Sequence, residues 1–285
     1  MLSFARAGHC KLPSLLPASS IPALRSAAEA HMRPRLLDAL QQKLAAQAGK
    51  PLSAVSRDPR FSTPALCEAQ LAKQGLPVPF LQHFNCHLEC KPLSALARSR
   101  ALAGRAAALL GVPSVRLYQD SLFLKRGGDS ETPYHSDLRM APFDTNSLVT
   151  LWVPLTPVPE RGGTGLLFVP TSHVDVSLPF FSADFLTADL AGRYPPPVSH
   201  TPLGPGDATA HHGWTLHRAG ANAGPDRLAY AVSYVDARAT VRRGFKREVG
   251  RGDMEDEAGW GGWVRTVKEG RRIPADHPVV PVIKL

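Results

Sequence analysis

Two histidines and one aspartate carry the strongest chemical signal in this chain. His135 and Asp137 flank Ser136, His217 stands 80 residues after Asp137, and Arg227 follows shortly after that. Side chains two apart on a β-strand share a face. His135 and Asp137 therefore read as two ligands offered by one strand, Tyr134 to Leu138. A second histidine from a distant strand completes a three-ligand set. Two neutral imidazoles and one carboxylate leave three metal positions open, as in non-haem Fe(II) sites that activate O2. Arg227 supplies a planar, permanently charged fork for the far carboxylate of a dicarboxylate cosubstrate.

The elements around these residues are bounded by composition. The chain has 285 residues, 44% hydrophobic and 20% charged, which suits a folded protein. The expected organisation is a single domain over 1–285, with a helical part to about 112, a β core over about 113–240 and an irregular tail from Arg242. No apolar run approaches about eighteen residues, so no membrane-spanning helix is expected. The formal charge is +9. Its arginines are spread along the chain, and neither a basic stripe nor a reader motif argues for nucleic acid. An anionic small molecule explains part of the charge better. A monomer or weak oligomer is expected.

Cys10, Cys67, Cys86 and Cys90 fit a reducing, cytoplasmic setting better than a disulfide scaffold. His83, Cys86, His87 and Cys90 have zinc-like spacing. No second knuckle lies nearby and Lys91-Pro92 opens a helix, so ordinary packing is the preferred reading. The first 28 residues lack Asp and Glu and carry Arg6, Lys11 and Arg25, as an organellar leader would. The preferred reading is that Phe4 to Leu24 already starts the fold. The final Ile283-Lys284-Leu285 only approximates a peroxisomal address.

Helical periodicity predicts helices over Ile21 to His31, Pro34 to Gln47, Thr63 to Lys73 and Ser94 to Leu110. Thr63 should cap the third, with Pro64 at its first position, and Gly111 should end the fourth. Strands are expected over Val115 to Lys125, Tyr134 to Leu138, Leu148 to Val153, Gly165 to Val169, Leu203 to Ala210 and Leu228 to Asp236. Helices first and short strands later argue for a sandwich or barrel with helices outside one sheet system. Residues 171–202 read as a long insertion. With Phe180, Phe181, Phe185 and Tyr194, it is expected to act as a lid.

With these segments in place, the chain resembles the phytanoyl-CoA dioxygenase-like family of Fe(II)/2-oxoglutarate oxygenases. The resemblance rests on Leu117-Tyr118-Gln119-Asp120 through Lys125, His135-Ser136-Asp137-Leu138, Ala141-Pro142-Phe143 and Trp152-Val153-Pro154-Leu155. It continues through Gly162-Gly163-Thr164-Gly165-Leu166, Val169-Pro170-Thr171-Ser172-His173, Gly206-Asp207, His212, His217, Asn222 and Arg227. It covers roughly residues 1–240. It implies a double-stranded β-helix, jelly-roll or cupin-like, mainly β with flanking helices. It also implies Fe(II), 2-oxoglutarate and O2, and hydroxylation of a small organic or acyl substrate with release of succinate and CO2.

The resemblance assigns the metal to His135, Asp137 and His217, and the cosubstrate to Arg227, Lys125 and Trp152. Gln119 matches a position facing the substrate, while Met140 and Phe143 follow the first ligands and suit a pocket rim. Many relatives place a serine where this chain has Ala219, which leaves either a weaker cosubstrate grip or a substitute hydroxyl such as Thr209 or Thr150. The retained Asp137 argues against halogenating relatives. His211 and His212 face opposite ways on a strand, and His212 reads as a core or supporting residue. His173 follows a turn and reads as structural. The competing function is a catalytically silent binding protein on the same fold.

Overall fold

Alternation of apolar residues over two long strands sets the architecture. In the computed structural model, which describes residues 2–78, 80–160, 164–175, 190–245 and 262–285, thirteen strands are described. They are β1 (His9–Leu12), β2 (Leu81–Phe84), β3 (Val115–Lys125), β4 (Thr132–His135), β5 (Phe143–Asp144), β6 (Leu148–Pro154) and β7 (Leu166–Phe168). Then come β8 (Val198–Ser199), β9 (Ala208–His212), β10 (His217–Ala219), β11 (Arg227–Asp236), β12 (Thr240–Val241) and β13 (Val282–Ile283). The major sheet runs β1-β9-β6-β11-β3-β13, with β2 also on β3, and all its pairs are antiparallel. A minor sheet runs β4-β10-β7-β8. The two sheets make the expected double-stranded β-helix.

The helices up to the first candidate ligands are α1 (Leu2–Ala7), α2 (Ile21–Ala48), α3 (Leu52–Ser56), α4 (Pro64–Lys73), α5 (Lys91–Ala97), α6 (Arg100–Leu110) and the short α7 (Asp137–Met140), with short helices at Leu190–Arg193 and Gly262–Val264 later. Two expectations are corrected here. Pro34 does not divide α2, which runs unbroken to a left-handed Gly49. Proline removes one backbone donor, but buried Ala28 and Met32 before it and Leu40 and Leu44 after it hold both halves down. Conversely, Ser94 to Leu110 is two helices. Ser99 turns extended and its hydroxyl accepts from the Leu102 N–H at 3.3 Å, capping α6. Thr63 caps α4 as expected, accepting from Leu66 N–H, and Gly111 ends α6 at φ 67°.

The outer face of the major sheet buries Leu117, Leu122, Leu151, Val153, Tyr230 and Val232 against these helices. Alanines at 103, 106 and 107 of α6 let it approach closely. Phe4 is buried and β1 pairs with β9, so the N-terminal segment is part of the fold. Of the irregular tail expected from Arg242, 246–261 lies outside the described residues and the remainder carries only short elements. Strand β13 extends the sheet at β3, and the buried Arg116 guanidinium donates to the carbonyls of Ile273 (2.7 Å), Pro274 (3.0 Å) and Val280. Among the described residues, no helix is long and apolar enough to cross a membrane.

A buried polar knot joins sheet, helices and tail. Asp120 accepts from the His87 backbone N–H at 3.0 Å, His87 Nδ1 at 2.5 Å and the Tyr230 hydroxyl at 2.5 Å. His87 Nε2 lies 2.9 Å from the Val279 carbonyl. Removing one partner of a buried ion pair costs about 3–5 kcal/mol, whereas one neutral hydrogen bond is worth about 1 kcal/mol. Asp120→Ala should therefore lower Tm by several times the drop for Tyr230→Phe. Equal drops in thermal unfolding would remove the knot from this role.

Candidate metal centre

The first two candidate ligands sit where a strand becomes a helix. Strand β4 ends at His135, Ser136 stays extended (φ −128°, ψ 134°), and Asp137 opens α7. The expected strand to Leu138 is thus cut short, yet extended Ser136 keeps His135 and Asp137 on one side. Leu138 turns inward because its N–H donates to the Gly213 carbonyl at 2.9 Å. That approach needs glycine: a Cβ at position 213 would meet the Leu138 Cβ at 2.9 Å and the Leu148 Cβ at 3.0 Å.

His217 opens β10 directly opposite His135, and their ring centroids are 4.2 Å apart. Asp137 Oδ1 lies 3.8 Å from His135 Nε2 and 3.6 Å from His217 Nε2. The ligand atoms of all three residues fall within 4.8 Å of one another. His135 Nδ1 lies 2.9 Å from the Pro133 carbonyl and His217 Nδ1 3.0 Å from the Thr215 carbonyl. A carbonyl only accepts, so each Nδ1 carries the proton and each Nε2 presents its lone pair to the shared point. Burial, then His211 and His135, push His217 well below the usual histidine range, which keeps that lone pair free.

Asp137 is held from the opposite sheet. Thr150 Oγ1 donates to its Oδ2 at 2.6 Å and His211 Nε2 at 3.1 Å, and Thr150 also meets Ser233 Oγ at 2.9 Å. Burial alone would raise the carboxyl; His217, His211 and His135 together outweigh it and hold Asp137 far below the usual carboxylate range. His211 is the residue the sequence reading missed. It pairs with Thr150 across β9 and β6 and so faces the site, while His212 packs outward near Phe4 and His173.

Arg227 and Lys125 are direct cross-strand partners, and both are buried. Among the described residues neither has a carboxylate partner; Arg227 Nη1 donates to the Thr164 carbonyl at 2.9 Å. Arg227 Nε and Lys125 Nζ have no hydrogen-bond partner. Burial brings Arg227 down to about 10, still cationic at neutral pH. Burial, then Arg227, lowers Lys125. Trp152 lies under the guanidinium at 5.1 Å, and Lys125 lies over the Phe80 ring at 5.9 Å. The hydroxyls of Thr164 and Thr209 are also buried and unpartnered, whereas Thr150 is engaged with Asp137. Thr209 pairs with Trp152 across the sheet, but neither Thr209 nor Thr164 lines the cavity that Ala219 lines.

One cavity of about 360 Å³ reaches the three ligands, Arg227, Trp152, Ala219, Gln119 and Met140. Phe143 is not brought to it: it packs edge-on to Tyr118 at 5.1 Å and against Trp263 at 6.0 Å, in a separate cluster. Lys125 is not in the lining either, although its neighbour Phe80 is. His173 faces the Ala5 carbonyl at 3.1 Å, away from the ligands. Of the expected lid, 176–189 with Phe180, Phe181 and Phe185 lies outside the described residues. Tyr194 is buried on Val169 and Leu216 and donates to Asp175 at 2.6 Å.

The sequence profile of the phytanoyl-CoA dioxygenase (PhyH) family matches residues 4–229. A comparison with curated proteins finds no match. Similar solved structures include the non-haem α-ketoglutarate-dependent carbocyclase SnoK from nogalamycin biosynthesis, at 21% identity and TM-score 0.66, covering 99% of this chain and 94% of that one. The epimerase SnoN, solved with Fe3+, α-ketoglutarate and nogalamycin RO, has 20% identity and TM-score 0.65, covering 99% and 96%. EctD from S. alaskensis, solved with 2-oxoglutarate and 5-hydroxyectoine, has 20% identity and TM-score 0.59, covering 85% and 76%. At these identities the likeness is one of fold.

Groups that orient a metal ligand typically change metal affinity by roughly 10–100-fold when lost. Thr150→Val removes the 2.6 Å hydrogen bond to Asp137 and should weaken Fe(II) binding to that extent. A titration giving unchanged affinity would show that this hydroxyl does not orient the carboxylate.

Proposed function

We propose that this chain, which belongs to the phytanoyl-CoA dioxygenase family, uses Fe(II) at His135, Asp137 and His217 and 2-oxoglutarate at Arg227 to hydroxylate a small organic or acyl substrate. The observation that carries this reading is the pairing of two features in one cavity. Three ligand atoms converge with both imidazole lone pairs free, and a buried arginine lacks an anionic partner among the described residues.

The residues fit the groups chemically. Two neutral imidazoles and a carboxylate would hold Fe(II), and Arg227 would hold the far carboxylate of 2-oxoglutarate. When bound, that set supplies the oxidising power for C–H hydroxylation, with 2-oxoglutarate leaving as succinate and CO2. Arg227 binds and orients the far carboxylate, with Trp152 bracing the guanidinium from one face. Lys125 stands opposite it as its cross-strand partner. Thr150 and His211 fix the Asp137 oxygens, so the metal face is set before substrate enters. Gln119 and Met140 line the cavity for the substrate. Met140 is 63% exposed and sits at the entrance side.

Iron, 2-oxoglutarate and a panel of small acids, amino acids and acyl thioesters test the reading. Substrate-stimulated succinate release with a product heavier by one oxygen supports it. A product of unchanged formula, or one lighter by two hydrogens, would replace hydroxylation with epimerisation or ring closure. No succinate with any substrate would favour a silent binding protein.

Two variants separate metal from cosubstrate. His217→Ala should lose both iron and turnover. Arg227→Ala should keep iron while its 2-oxoglutarate requirement rises. Truncating one member of a buried charged pair costs about 2–5 kcal/mol, roughly thirty-fold or more at about 1.4 kcal/mol per decade. Unchanged cosubstrate affinity in Arg227→Ala would move the anchor to Lys125.

A further inference from the structure

A second cluster of metal-binding side chains lies on the far side of β2. Its members are His31 of α2, His83 of β2 and Cys86 just after β2. One ligand atom from each falls within 4.8 Å of the others. The segment with zinc-like spacing is split by the fold. His87 turns away to Asp120 and Val279, and a histidine 52 residues before His83 takes its place.

Three further observations bear on this cluster. His31 Nε2 and His83 Nε2 are both buried and, among the described residues, have no hydrogen-bond partner. Their ring centroids are 5.2 Å apart. A buried ring nitrogen without a partner is costly, so two side by side call for a common partner. Cys86 is fully buried, and its thiol donates to the nearby His83 carbonyl at 3.2 Å.

We propose that His31, His83 and Cys86 form a second metal site, separate from the iron centre, that takes Zn2+. Two imidazoles and a thiolate are a borderline-soft donor set, suited to four-coordinate zinc with water as the fourth ligand. As the Zn–S bond forms, the Cys86 thiol proton leaves to solvent. The bound ion satisfies both orphaned nitrogens at once. It also ties α2 to β2. Strand side chains alternate, and the opposite face of β2 presents Gln82 and Phe84 to the cavity. The ion therefore braces a wall of the substrate cavity from behind.

The test uses the full chain with the iron site removed by His135→Ala and Asp137→Ala, stripped with chelator and offered Zn2+ or Co2+ alone. The site requires one equivalent of Zn2+ retained per chain, a rise in Tm with Zn2+, and thiolate-to-metal charge-transfer absorption with Co2+. Adding His31→Gln or His83→Gln should abolish retention. Cys86→Ser should remove the charge-transfer band; if this buried substitution prevents folding, half-buried His31→Gln decides. A protein without the iron ligands that retains no zinc would overturn the proposal. Retention unaffected by His31→Gln, or a cobalt spectrum without a thiolate band, would do the same. If the iron-ligand variants do not fold, iron-saturated wild type must take up a further equivalent of Zn2+, and failure to do so is equally decisive.

Discussion

The carboxylate of Asp137 is where the two sheets meet. It hangs from the end of β4 in the minor sheet, and its second oxygen is gripped by Thr150 and His211 of the major sheet. Its first oxygen faces His135 and His217. A charge this enclosed stays ionised only if its surroundings supply hydrogen bonds and positive potential. The sheets must therefore hold their spacing and register for the three candidate ligands to converge. Gly213 belongs to the same constraint, because only the absence of a Cβ lets Leu138 turn in and aim Asp137.

The other end of the cavity shows the opposite electrostatic condition. Arg227 and Lys125 face each other across β11 and β3, buried, each with a nitrogen left without a partner. Burial of like charges side by side is unfavourable in the free protein. A carboxylate arriving there gains more than it would from the same cations at a surface, where water screens them. Trp152 lets the guanidinium lie flat without spending a hydrogen-bond donor. The site thus places a metal-ligating face and an anion-ready pair on one inner sheet surface.

The outer surface of that sheet is built on different terms. Apolar side chains bind it to the helices, and one buried knot of His87, Asp120 and Tyr230 adds direction. His87 and Arg116 both reach carbonyls of the last strand region, so the tail stiffens β3 from behind. The His31–His83–Cys86 cluster lies in this outer layer too, against the back of the strand that walls the cavity.

Much of this was legible in the residues because it is local. The β3 and β11 strands read from apolar runs, the α4 cap from Thr63-Pro64, the end of α6 from Gly111, and three candidate ligands from His-x-Asp with a later histidine. Alternation and capping depend on neighbours within a turn or two, and the chain carries them openly. What needed the tertiary structure was register. Only the pairing of β9 with β6 decides that His211, and not His212, reaches Asp137. Packing across Pro34 kept α2 whole, and the Ser99 cap split α6 from α5. The separation of Phe143 from the cavity, and the arrival of His31 beside His83, join residues that are apart in sequence. Such contacts are set by long-range burial and strand pairing, whose free energy belongs to the assembled sheets and to no single segment.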